Sequence, residues 1–186
     1  MRSGILTMRK TIKFVLALVV ALVLMLCFRV LAFTVYTIDG QGLSPLFCQG
    51  DRVLINRWSY GLRVGGEGSP FGYGRIGRNA VNRGDLVAFE NPQNPNEVLI
   101  CRCKALPGDT IQHEGQALVV PGLKSCASAD HYWMEAISQE NALDSHFLGF
   151  IPEQYIIGRA IMVIYSHDPS ESLFCGWRND RLFMPL

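Results

Sequence analysis

Residues 98–109 read Val-Leu-Ile-Cys-Arg-Cys-Lys-Ala-Leu-Pro-Gly-Asp. The first nine form a short apolar run, and Pro107-Gly108-Asp109 stops it. A run of that length ended by turn residues predicts a buried strand. On a strand Cys101 and Cys103 share one face, and Lys104, three positions after Cys101, points to the other.

The same reading extends outward in both directions. Asp51–Trp58 alternates imperfectly, with Val53 and Ile55 on one face. Asp85–Glu90 is a short apolar run between Arg-Gly and Asn-Pro. Thr110–Gln112 and Ala117–Val120 predict a hairpin around His113-Glu114-Gly115, and Tyr155–Tyr165 is a long β-branched run. Short strands at this spacing predict a mostly β barrel or sandwich rather than βαβ units. Val64–Asn79 holds six glycines in sixteen positions and reads as a loop, solvated or laid on a membrane by Phe71 and Tyr73. Pro121–Leu143 is polar and predicts an excursion, with a short helix around Trp133–Gln139. No internal repeat is visible.

Upstream, Phe14–Tyr36 reads FVLALVVALVLMLCFRVLAFTVY, 23 residues with the single charge Arg29. A helix of that length rises about 34 Å, enough for a bilayer core. A cleaved signal peptide is the alternative, but the run exceeds the usual apolar region and no clean small-x-small site follows. Arg9, Lys10 and Lys13 precede the run, and Asp39 is the first charge after it. The expectation is a cytoplasmic N-terminus at 1–13, a transmembrane helix at 14–36 and an outer domain at 37–186.

Residues 1–36 carry five basic residues and no acid, leaving 37–186 with 12 basic and 16 acidic residues, a net charge of −4. A mildly acidic domain without basic clusters has no footprint for nucleic acid. Of six cysteines, Cys27 lies in the apolar run, while Cys48, Cys101, Cys103, Cys126 and Cys175 fall in the outer domain. An odd number there leaves a free thiol or an intermolecular bond. No CxxC pair is present, and neither a metal nor a cofactor is expected. Cys101 and Cys103, roughly 6.6 Å apart along a strand, stand near the limit for a disulfide, and the pairing stays open.

Four segments follow in order. The first is Gly42-Leu43-Ser44-Pro45-Leu46-Phe47 with Gly50-Asp51 and Tyr60-Gly61-Leu62-Arg63. The second is Arg83-Gly84-Asp85-Leu86-Val87-Ala88-Phe89, and the third is Cys101–Asp109. The fourth is Asn141-Ala142-Leu143-Asp144-Ser145-His146-Phe147-Leu148-Gly149-Phe150-Ile151-Pro152, followed by Gly158-Arg159-Ala160. Singly these are common turns. Together, behind one apolar segment, they make the chain resemble the type I signal peptidase family of membrane serine–lysine proteases, across residues 14–186.

The resemblance implies a barrel-like β core on one membrane helix, and cleavage of signal peptides by a serine activated by a lysine of lowered pKa. It also implies peptide-binding roles for Leu43, Pro45, Arg102, Asp144 and Ser145. The chain departs from the pattern at the chemistry. Gly42 stands at the nucleophile position, Cys101 at the general-base position and Ala142 at a supporting serine position; His146 replaces a usual arginine. Glycine has no side chain to attack with, and a thiol does not replace an ammonium. Ser44 would need a shifted loop to substitute, and Lys104 a bulge. Arg102 is too basic to serve. A Cys101 thiol with His113, His131 or His146 as base has no supporting spacing. The expected function is that of a catalytically silent family member binding an extended peptide, a signal peptide or a membrane partner by strand addition. The alternatives are an active peptidase with substitute residues and a purely structural anchor protein.

Overall fold

The computed structural model describes residues 2–39, 43–65, 72–125, 129–138, 143–172 and 175–186. Within the first helix it describes the side chains at 12–26, 29 and 31–32. That helix, α1, runs Arg2–Ala32. Its described apolar side chains at 12–26 and 31, such as Phe14, Leu18 and Leu24, are exposed, while Ala32 at its end is buried. Among the described residues no helix is long and apolar enough to cross a membrane; the unbroken described side chains of α1 cover only 12–26. The helix also ends before Tyr36. Phe33–Thr37 is strand β1, drawn into the sheet by antiparallel pairing with β2 (Asp51–Asn56), from Phe33↔Asn56 to Thr37↔Arg52.

The remaining strands are β3 (Leu62–Val64), β4 (Gly74–Ile76), β5 (Leu86–Asn91), β6 (Asn94–Ala105), β7 (Thr110–His113) and β8 (Gln116–Val119). They continue with β9 (His131–Glu135), β10 (Ile151–Pro152), β11 (Ile156–Ser166) and β12 (Met184–Pro185); a single-turn helix, α2 (Ser145–Leu148), precedes β10. Eight strands form one antiparallel sheet in the order β1-β2-β11-β5-β6-β9-β10, with β12 on β11. Among the described strands this is an open path. Register shifts in β11 at Ala160/Met162, Val163/Tyr165 and Ile156/Gly158 bend and twist it. Pairs β3–β4 and β7–β8 stand apart as two-stranded ribbons.

The strand readings around Asp51, Asp85, Cys101 and Tyr155 meet β2, β5, β6 and β11, and the hairpin reading meets β7–β8. Its turn uses Glu114 (φ 50°) and Gly115 (φ 78°), the left-handed pair a tight hairpin needs. Two readings are corrected. The helix placed around Trp133 is absent: Trp133 lies in β9, because β9 pairs with β6 (Ala105↔Trp133) and β10 (Ile151↔Tyr132). The glycine-rich segment is not all loop, since Val64 and Gly74–Ile76 pair as β3–β4; Phe71 lies outside the described residues.

The central strand β5 is buried on both faces. Along β5, Leu86 and Ala88 join a cluster with Ile38, Phe47, Val53, Ile55, Ile100 and Val163. Val87 and Phe89 join another with Tyr60, Cys101, Cys103, Met134, Ile151 and Ile156. Burying an aliphatic or aromatic side chain of this size contributes about 1.5–3 kcal/mol.

Candidate functional site

Three of the Gly-Asp turns found in the sequence do the same structural work. Gly50, Gly84 and Gly108 have φ of 89°, 88° and 92°, a region that favours glycine. A Cβ on Gly50 would also sit 1.9 Å from the His167 carbonyl oxygen. Each following aspartate reaches back to a backbone amide and out to a distant arginine. Asp51 accepts from the Cys48 amide (2.9 Å) and from Arg181 (2.7 Å), and Arg181 also donates to the Leu46 carbonyl (2.7 Å). Asp85 accepts from the Asn82 amide (3.1 Å) and the Tyr60 hydroxyl (2.9 Å), with Arg159 at 3.4 Å. Asp109 accepts from the Leu106 amide (2.6 Å) and pairs with Arg83.

The electrostatics follow from these partners. Burial pushes the Asp51 carboxyl up, but its bonds from Arg181, Ser166 and the Cys48 amide outweigh that and hold it below the usual range. Asp109 is lowered chiefly by the Leu106 amide and then by Arg83. The Tyr60 hydroxyl is raised by burial and by the Asp85 charge.

Cys101, which the sequence reading set at the general-base position, differs in kind from these turns. Cys101 is 3% exposed, points into the apolar cluster of Val87, Phe89 and Met134, and lies 3.8 Å from the Leu143 carbonyl oxygen. Burial, reinforced by the Asp144 charge, pushes its thiol up to about 12. It is therefore a neutral, inert thiol at neutral pH. Lys104 faces the other way, bonded to Glu135 at 2.9 Å with its side chain 61% exposed. The β6–β9 register does slip between Cys103 and Ala105, yet Lys104 stays outside. Arg102 is exposed on that same outer face.

The fourth segment is built around two side chains. Asp144 caps α2 by accepting from the His146 amide (2.9 Å) and also accepts from the Ala136 amide (3.1 Å). The fully buried Ser145 hydroxyl accepts from the Met134 amide at 2.8 Å, tying α2 to β9. Leu43 and Leu46 pack on the cluster that contains Ile100 and Phe47, the opposite face of β6 from Cys101. Ser44 and Pro45 are exposed, and Ser44 lines a cleft of about 640 Å3 with Cys48, Gln49, Asp168, Ser170 and Arg178. Gly42 and Ala142 lie outside the described residues. Cys48, Cys101, Cys103 and Cys175 are free thiols. No group of three metal-ligating side chains converges among the described residues.

A family profile described as "Signal peptidase, peptidase S26" matches residues 11–129, well over half of the chain. The chain belongs to that signal peptidase family.

This signal peptidase family member is 27% identical over 148 residues to signal peptidase I of Leptolyngbya laminosa, covering 67% of the chain and 65% of that protein. It is 26% identical over 173 residues to signal peptidase I V of Bacillus subtilis, covering 77% and 92%. It is 31% identical over 85 residues to mitochondrial inner membrane protease subunit 2 of Saccharomyces cerevisiae, covering 46% of each. Sequence reading quoted Arg83 and Arg159 within its segments but not their pairing with Asp109 and Asp85, and it missed Arg181. Arg181 stands 130 positions from Asp51, and no local pattern marks it. It also missed Arg75, whose side chain is 1% exposed and donates to the carbonyls of Gly61, Glu153 and Ile156.

Proposed function

We propose that this chain is a membrane-anchored, catalytically silent signal peptidase relative that binds extended peptides, signal peptides among them, on the outer face of the membrane. The observation that carries the silence is the environment of Cys101. A buried neutral thiol under a backbone carbonyl occupies the base position, and the nearest lysine in sequence, Lys104, is on the opposite face. Gly42 at the nucleophile position supplies no attacking atom.

Peptide binding is supported by an incomplete strand edge. β6 pairs with β5 along Val98 to Arg102, but on its other edge β9 meets only Arg102, Cys103 and Ala105. Among the described residues the backbone of 98–101 is thus unpaired on one side, the template that strand addition uses. Leu43, Pro45 and Arg102, with the Asp144–Ser145 turn, border this region in the proposal. The anchor is the apolar stretch of 14–32, flanked by Arg9, Lys10 and Lys13, which puts the N-terminus in the cytoplasm.

The test is a signal-peptide substrate mixed with the full chain in detergent. Binding without cleavage is expected, with the sessile peptide seen by fluorescence anisotropy. Cleavage by the unaltered protein that one point change abolishes sinks the proposal. The double variant Gly42→Ser with Cys101→Lys measures how much of the remaining machinery is intact. A purely structural anchor is the second reading, favoured by Phe47, 1% exposed and packed with Ile100. It predicts no peptide binding at all.

A further inference from the structure

We propose that His113 and His146 form a binding site for one divalent transition-metal ion of the nickel, copper or zinc type. The two imidazoles come from separate elements, the end of β7 and the first turn of α2. Their ring centroids are 5.6 Å apart, and each lies against the Trp133 indole, at 5.2 and 5.3 Å. A metal about 2.0–2.1 Å from an imidazole nitrogen lies roughly 3.2 Å from the ring centre. Two such rings at a tetrahedral or wider angle then stand about 5.2–6.4 Å apart, a range that contains the observed separation.

The donor chemistry fits. His146 Nδ1 is 3.2 Å from Asp144 Oδ2, a contact that holds the ring proton on Nδ1 and leaves the Nε2 lone pair for a ligand. His113 is half-buried, and among the described residues its ring contacts Trp133 and His146 and makes no hydrogen bond. His146 opens onto a cleft of about 360 Å3 that also borders Trp133, Lys104, Glu135, Arg83 and Asp109. Its two cationic side chains are each paired with a carboxylate, Lys104 with Glu135 and Arg83 with Asp109, so the cleft does not repel a cation. Water completes the coordination, since no third ligating side chain converges there among the described residues. Imidazole donors favour copper and nickel over the lighter divalent ions.

A bound ion would pin the β7–β8 ribbon to the segment whose Leu143 carbonyl covers Cys101. The site stands independently of the peptide reading. It is tested on the full chain in detergent, cleared of metal by a chelator and titrated with Ni2+. The expected result is paramagnetic broadening of the His113 and His146 ring protons ahead of those of His131 and His167. Affinity should fall about ten-fold or more in both His113→Gln and His146→Gln. Equal broadening of all four histidines, or affinity lost in only one variant or neither, overturns the proposal. The broadening is read on the unaltered protein, so it decides the matter even if a variant fails to fold.

Discussion

The aspartate turns and the Cys101 face lie on neighbouring stretches of the same sheet and obey opposite rules. At Asp51, Asp85 and Asp109, charge is kept and fully answered by amides and arginines. At Cys101 a neutral thiol carries no charge, and apolar side chains close over it. The turns hold the backbone whatever the site does, whereas a buried lysine without an acceptor would only cost stability.

The largest effect expected from breaking this contrast is at Asp51. Asp51→Ala leaves Arg181 partly buried without its carboxylate and the Cys48 amide without its acceptor. The expected loss is about 3–5 kcal/mol, read by chemical denaturation. If the loss is no larger than at Cys101, the distinction between the two regions fails.

The pH response sharpens the same point with opposite signs. Asp51 and Asp109 have folded-state pKa values below their unfolded ones. Their stabilisation is present above about pH 4 and is lost as pH falls through the folded values. Asp51→Asn should flatten this acid limb. The Cys101 and Cys103 thiols are raised to about 12. Their contribution is complete below about pH 8.5 and is lost as pH rises toward 12. A melting-temperature profile against pH checks both limbs.

Cys101→Ala should cost only about 1–2 kcal/mol, since it removes one sulfur from an apolar cluster. In the native protein, alkylation at pH 8 should reach the exposed Cys175 well before Cys101 or Cys103. Arg83→Ala should cost under about 1 kcal/mol, because its side chain is 63% exposed in the pair with Asp109. Ser44→Ala and Lys104→Ala should leave peptide binding and any measured processing unchanged. A loss of processing in either would restore an active-peptidase reading.

Much of this was legible in the chain. Pro107-Gly108-Asp109 marks a turn, and strand parity alone puts Lys104 opposite Cys101. Trp133 was misplaced on a helix because a short amphipathic run suits either period, and only its β6 and β10 neighbours decide between them. The aspartates were visible as turn residues, but their pairing was not: Arg159 and Arg181 reach them from distant segments.

Sequence by itself determined the strands around Asp51, Asp85, Cys101 and Tyr155, the Gly-Asp turns and the residue types at Gly42 and Cys101, because residue identity and side-chain alternation are local properties. Tertiary structure alone decided which charges meet, that the Leu143 carbonyl caps Cys101, and that the rings of His113, His146 and Trp133 meet. Those contacts depend on sheet order and packing between remote segments, which no local pattern encodes.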